Sequence, residues 1–446
     1  MLTMDTNTHQ ALNFQTIMAK FLGKKRLVWI VVGVVAVVVV AAVVIPTTIV
    51  LTKKKTTTTE VTSTTISTEV TSTTTSTKTS TRRSITSVTR IPTTDTTTDV
   101  TTTDITTGTT TTNPSIENWF QTDNMKDSRR IHTASVLNNG QVLVTGGSFN
   151  YIPLNSVELY DPSTATWKRT SSMNYTRYQH SASVLLNGTV LVTGGQGAVG
   201  DCLVSSELFD PETEIWTDTG NMNIKRCRHT ASVLKDGMVL VTGGFDASGQ
   251  HNSAELYDPS TGTWTLTGNM ISARSDHQAS ILANKKILVT GGALDMIRIK
   301  TAELYDPLIK SWTTTKSMHV ARESHTASVL LNGNVLVVGG DSTKVHTELY
   351  DPVTGNWTTT GSLNKVRVHH AASVLTNGDV LVSGGYKDGF NNLKSSEVYD
   401  LLTGTWSMTD DMNCARYQHQ SSVLLNGTVL VTGAIDGILS CNAELY

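Results

Sequence analysis

The chain has no excess of positive charge: 35 Lys and Arg stand against 37 Asp and Glu, a formal net charge of −2 over 446 residues. It therefore has no basic footprint for nucleic acid. Cysteine is scarce, with four residues in all. No Gly-Lys-Ser/Thr follows any of the double glycines, so these are not phosphate cradles. No BTB-like or F-box-like segment is present, which counts against use as an adaptor. Charge is missing altogether from residues 27–52, and apolar surface is sparse from there to residue 115.

Those two absences divide the N-terminal part. A membrane helix needs ~20 apolar residues, and residues 27–52 supply that length with runs of Val and Ala. The expectation is a transmembrane signal anchor. A cleaved signal peptide is the alternative, although its apolar part would be unusually long and no clear small-x-small site follows. Residues 1–26 form a short tail ending in Lys20, Lys24, Lys25 and Arg26, against Lys53, Lys54 and Lys55 beyond the run. That balance leans to a cytoplasmic N-terminus, a single-pass type II orientation. Residues 53–115 are mostly Thr and Ser. They cannot bury enough apolar surface to fold and read as a mucin-like O-glycosylated stalk or an unmodified linker.

Residues 116–446 are organised by a repeat. Its clearest copy spans residues 238–264: Met238-Val239-Leu240-Val241-Thr242-Gly243-Gly244, a variable loop, Glu255-Leu256-Tyr257-Asp258-Pro259, then Gly262-Thr263-Trp264. A histidine opens each unit, at His132, His180, His229, His277, His325, His370 and His419, in steps of 48, 49, 48, 48, 45 and 49 residues. Three residues before each stands an arginine: Arg129, Arg177, Arg226, Arg274, Arg322, Arg367 and Arg416. Each unit reads as four short strands. Asp236-Gly237 reads as a two-residue type I′ turn, and Gly243-Gly244 lets the backbone pass close to a neighbour.

Four-stranded units at this period are the mark of a β-propeller. The Arg-x-x-His, the Gly-Gly, the Glu-Leu-Tyr-Asp-Pro and the spaced Trp resemble the kelch repeat in its galactose-oxidase-like form. WD40 repeats fit worse, with no recurring Trp-Asp, and so do sialidase Asp-boxes. The resemblance implies an all-β, seven-bladed propeller. Trp119 precedes the first unit and the last unit stops at Tyr446 before its own Trp strand. The strand near Trp119 is therefore expected to complete the seventh sheet, which makes the chain look complete at both ends. Gly433-Ala434 replaces Gly-Gly in the last unit, a methyl group the fold should tolerate.

Seven copies of Arg and His argue for a structural role, with the recurring Glu as partner, in charge-assisted hydrogen bonds between strands or blades. In some kelch relatives, arginines of these connections bind acidic peptides, which is the functional alternative. Ligand specificity should lie in the loops after Gly-Gly, where the units differ. The candidate binding residues are Phe149, Tyr151, Phe245, Asp246, Asp295, Arg298, Lys344, Tyr386, Lys387, Asp388 and Phe390. His319, His346 and His369 fall off register on the same face; a metal site there is conceivable, but solvated loop histidines are the commoner case.

Four glycosylation acceptors, Asn174, Asn187, Asn356 and Asn426, precede x-Ser/Thr. All but Asn174 belong to the face opposite the Gly-Gly loops. Cys202, Cys227, Cys414 and Cys441 belong to the freer face. Repeat geometry pairs them as Cys202–Cys227 and Cys414–Cys441 in an oxidising compartment; four free thiols in a cytosolic propeller is the alternative. The galactose-oxidase resemblance raises copper chemistry, but that enzyme takes a ligand from a domain after its propeller and uses a Tyr–Cys cross-link. We therefore expect no catalytic residue, no metal and no cofactor. The expected function is membrane-anchored recognition of a protein or glycan outside the cell. The rivals are a copper-dependent or other propeller-type carbohydrate enzyme and a membrane-tethered intracellular scaffold.

Overall fold

The computed structural model describes residues 119–387, 391–433 and 441–446. The expected tail, membrane segment 27–52 and stalk, together with Ala434, lie outside the described residues. Among the described residues there is no helix long and apolar enough to cross a membrane.

Seven four-stranded antiparallel sheets succeed one another along the chain. Blade 3 is representative: Thr230–Val233, Val239–Thr242, Ala254–Asp258 and Thr263–Thr267, from the inside outwards. The innermost strands touch in a closed ring, blade 1 meeting both blade 2 and blade 7. Blade 7 takes its outer strand from the start of the described chain. Phe120–Gln121 pairs antiparallel with Ala443–Leu445, Phe120 opposite Leu445 and Gln121 opposite Glu444. Trp119 packs at a tilt on Tyr446, with ring centroids 5.0 Å apart, and its indole donates to the Asp410 carbonyl at 3.0 Å.

The second strand of every blade is buried at all four positions. Blades cover both of its faces, so the run Val-Leu-Val does not alternate with polar residues. In blade 3, Leu240 packs towards blade 4 against Ile287 and Val289, while Val239 and Val241 pack towards blade 2 against Leu185 and Leu191. Each outer-strand Trp packs on an aromatic of its own third strand, as Trp264 does on Tyr257 at 5.1 Å. The Trp264 indole then donates to the Gly220 carbonyl of the preceding connection at 2.9 Å.

The first turn corrects one expectation. Leu234 and Met238 bracket three residues, with Leu234 N–H donating to the Met238 carbonyl at 2.8 Å. Only Gly237, at φ 89°, is left-handed. This is a three-residue loop ending in a left-handed residue, not type I′. Blade 4 has Lys285 there instead of glycine, at φ 70°.

Gly-Gly packs between two connections, the one entering its own blade and the one entering the next. A Cβ on Gly243 would lie 2.5 Å from the Arg274 carbonyl, and one on Gly244 2.7 Å from the Cys227 carbonyl. Gly244 N–H donates to that Arg274 carbonyl at 2.9 Å.

The repeated Arg and Glu form one node per blade. Arg274 donates to the Gly291 carbonyl at 2.7 Å, the Thr301 carbonyl at 3.1 Å and Glu303 at 2.7 Å. Glu303 also accepts the backbone N–H groups of Ile271 at 2.7 Å and Ser272 at 3.0 Å. The other six blades repeat the pair: Arg129–Glu158, Arg177–Glu207, Arg226–Glu255, Arg322–Glu348, Arg367–Glu397 and Arg416–Glu444. All seven arginines are buried.

The histidines have different partners from those expected. Each reaches a hydroxyl on the preceding blade rather than the glutamate: His132 to Thr432 at 2.9 Å, His180 to Thr133 and Thr145 at 3.1 Å, His229 to Ser181 at 2.9 Å, and His277 to Thr230 at 2.9 Å. His325, His370 and His419 bond Thr290, Thr326 and Ser383 in the same way. Burial, reinforced by nearby arginine charge, pushes His132 down to about 3, and burial is also the main cause for His229 and His325 at about 3. His180, His277, His370 and His419 are lowered well below the ordinary value for the same leading reason. A neutral imidazole bonds a hydroxyl without bringing a second positive charge beside the arginine.

Two outcomes follow. Arg274→Ala leaves Glu303 buried without its counter-charge and should destabilise the propeller by about 3–5 kcal/mol, read by thermal or urea unfolding; unchanged stability would contradict the structural role. The second concerns pH. The unfolded chain protonates these histidines near pH 6.5, whereas burial holds all seven below that in the folded chain, at about 3 for His132, His229 and His325, so stability is whole above pH 6.5 and is lost as pH falls. At one unit below the ordinary value each histidine removes roughly 1.4 kcal/mol. Seven together then rival a typical total of about 5–15 kcal/mol. Tryptophan fluorescence should show acid unfolding complete above pH 4, and a native spectrum at pH 4 would refute it.

Candidate functional site

Successive antiparallel strands send alternate loops to opposite ends of a blade. The connections between blades and the loops after Gly-Gly share one end, called here the upper face. The first and third turns share the lower face. Four upper loops are small hairpins: Ser148–Phe149 with Ile152–Pro153, Phe245–Asp246 with Gly249–Gln250, Ala293–Leu294 with Ile297–Arg298, and Tyr386–Lys387 with Asn391–Asn392.

A cavity of about 540 Å³ opens along the central axis, lined by every blade's inner strand and the end of its connection. The residue before each repeat histidine is left-handed: Ile131, Gln179, Arg228, Asp276, Ser324, His369 and Gln418, at φ 51–57°. Their backbones form a closed belt around the channel. Ile131 N–H donates to Gln418 at 2.9 Å, Gln179 to Ile131 at 3.3 Å, Arg228 to Gln179 at 3.1 Å, and Asp276 to Arg228 at 3.2 Å. Ser324 donates to Asp276 at 3.0 Å, His369 to Ser324 at 3.1 Å, and Gln418 to His369 at 2.9 Å. This uses the backbone N–H and C=O of every member, so what the belt offers a ligand is its side chains, and no two neighbours are alike.

Around the mouth, Arg228 pairs with Asp276 at 3.1 Å and lies over the Phe245 ring at 5.5 Å. Arg130 is held between Tyr151 at 4.6 Å and Tyr417 at 5.5 Å, and donates to the Tyr417 hydroxyl. Tyr417 meets Tyr386 edge-on at 5.8 Å, and Tyr386 stacks on His369 at 5.5 Å. Burial pushes His369 down to about 4, against the pull of Asp276. Tyr178 donates to Gln196, and burial raises its phenol above the ordinary value.

The structure brings some sequence candidates into this cluster and leaves others apart. Tyr386, Tyr151 and Phe245 join it, Tyr151 with 81% of its surface exposed. Arg298 pairs with Glu323 at 3.1 Å and approaches Asp341 at 3.8 Å. Asp246 caps its own turn through Ser248 at 2.7 Å and faces His251 at 3.4 Å. Phe149 is half-buried in its hairpin, Asp295 is exposed at a turn tip, and Lys344 and Lys387 are exposed on the rim. Asp388 and Phe390 lie outside the described residues. The off-register histidines part company: His319 bonds Glu348 at 2.7 Å, His346 is exposed, and His369 is in the belt. Among the described residues only Cys414, Cys441 and Glu444 bring three potential metal-ligand atoms together, and there the two sulfurs are bonded to each other. Arg130, Tyr178, Arg228, Asp276 and Tyr417 were missed. Their signal is present in the sequence: they are the two variable positions inside an otherwise constant Arg-x-x-His.

The cysteines are joined as Cys202–Cys227 and Cys414–Cys441, both on the upper face. The acceptors Asn174, Asn187, Asn356 and Asn426 are all exposed.

Comparison with known proteins agrees with this geometry. Residues 132–340 match the KLHDC2/KLHL20/DRC7 Kelch-repeats domain, and residues 367–413 match the Kelch motif. The chain is a seven-bladed β-propeller built of kelch repeats. Its fold is similar to that of a fungal alcohol oxidase of the AA5 family solved in complex with copper, with a TM-score of 0.61 and 18% identity over 74% of this chain and 75% of that one. It is also similar to YjhT, with a TM-score of 0.52 and 15% identity over 65% of this chain and 99% of that one. At these identities the likeness is one of fold. No curated protein matches the chain.

The Cys202–Cys227 bond closes a segment with a sequence separation of 25 residues. Cys227→Ser should cost about 3 kcal/mol through the freed unfolded chain, seen as a lower unfolding midpoint that added reductant does not lower further unless the second bond is also reduced.

Proposed function

We propose that this protein is a non-catalytic recognition module, anchored in a membrane through residues 27–52, that presents the upper face of its propeller to a protein or glycan outside the cell. The observation that carries the reading is an asymmetry between the two faces. The variable residues of the repeats converge on one cavity and its rim at the upper face, whereas the lower face carries repeated turns. Three of the four glycosylation acceptors belong to the lower face. The first described residue, Trp119, also enters blade 7 from that end, because the outer strand Phe120–Gln121 runs antiparallel to Ala443–Leu445. Two disulfides and four exposed acceptors are the chemistry of an oxidising, glycan-modifying compartment.

Topology tests this. Intact cells expressing a C-terminally tagged chain should label from outside. The band should shift with N-glycosidase and change mobility with reductant. A hidden tag, an unchanged mass and four free thiols would overturn the extracellular reading and direct the search for partners inside the cell.

A further inference from the structure

We propose that the mouth of the central channel is a saccharide site, taking the terminal residue of a neutral glycan. This rests on the recognition reading and gives it a ligand class. Six belt residues facing the cavity supply the chemistry: Gln179, Arg228, Asp276, Ser324, His369 and Gln418.

A sugar ring presents hydroxyls that must both donate and accept, together with one apolar C–H face. The mouth matches on each count. Arg228 and Asp276, paired at 3.1 Å, place donors and an acceptor side by side. The amides of Gln179 and Gln418 and the hydroxyl of Ser324 do both. His369 is neutral at physiological pH, so its ring adds a polar group without charge. The Gln179 Oε1 atom is buried and has no hydrogen-bond partner among the described residues. A buried acceptor left so is costly, and a ligand hydroxyl would satisfy it. Tyr386, stacked on His369 and edge-on to Tyr417, and Tyr151, 81% exposed beside Arg130, make the rim aromatic, as the C–H face requires. The volume, about 540 Å³, lies within the ~300–1,000 Å³ of small-ligand sites.

Charge separates this ligand from an acidic peptide. Asp276 cancels Arg228, and Glu323 pairs with Arg298. The seven repeat arginines are buried against glutamates. An acidic partner would meet a belt with no net charge.

The belt's left-handed backbone dictates the variants: Asn tolerates that conformation where Ala does not. Asp276→Asn, Arg228→Asn and Gln179→Asn therefore remove the chemistry and keep the belt. The full chain in detergent micelles would be titrated with methyl glycosides of galactose, glucose, mannose and N-acetylglucosamine, with saturation-transfer NMR as the readout, alongside an Asp/Glu-rich peptide. At least one neutral glycoside should bind, weakened roughly tenfold or more by Asp276→Asn and Arg228→Asn, the loss of one polar contact to a charged group. Lys235→Ala, on the lower face, should bind as the parent does. No glycoside binding, or binding indifferent to the belt variants, overturns the proposal. Arg228-dependent binding of the peptide alone also overturns it while leaving recognition by the upper face intact. A partner captured by the full chain regardless of every upper-face variant would instead sink the recognition reading.

Discussion

The propeller depends on burying a guanidinium and a carboxylate together seven times. Taking either charge out of water alone is prohibitive. The cost is met because each group spends hydrogen bonds on backbone as well as on the opposite charge. Glu303 caps the N–H groups of an incoming connection, and Arg274 takes the carbonyl of the first glycine in its pair. One ion pair thus ties a connection, a Gly-Gly bend and a third strand into a unit. Arginine suits the place better than lysine, since its planar fork reaches a carboxylate and two carbonyls at once.

The same node explains why the upper face can vary. The constant residues of Arg-x-x-His point into the protein, one to the glutamate of its own blade and the other to a hydroxyl of the preceding blade. What the blades share in holding the two residues between them is backbone: the belt, and bridges to the loops after Gly-Gly such as Cys227 to Phe245. Their side chains carry no structural duty common to all blades. A scaffold with nearly sevenfold backbone regularity can therefore display six different side-chain types around one axis.

Much of this was legible in the residues because the repeat imposes it. The period, the aromatic of Glu-Leu-Tyr packing on the following Trp, and the closing strand at Trp119 all follow from counting copies. The turn at Asp236-Gly237 was misread because a two-residue and a three-residue loop share the same dipeptide; only the backbone angle of Asp236 separates them. The histidine partner was misassigned because proximity in sequence to Arg suggests a shared charge network. Burial instead makes imidazole neutral and sends it to Thr or Ser on the preceding blade. The belt was invisible, since left-handed Ile131, Gln179 and His369 have no compositional mark of the kind glycine gives.

The borrowed strand has a mechanical meaning. A pull on Trp119 is delivered to the outer edge of blade 7, to a two-residue ladder, one indole hydrogen bond and one tilted ring contact. Behind these lie the exchanges between Asn124, Met125 and Asn442. The rest of the ring is out of the load path until these contacts yield. Tension would thus open the propeller at a single seam between its first and last blades, and the six remaining inter-blade interfaces would peel only in sequence afterwards. The seam sets the force that the whole molecule can bear.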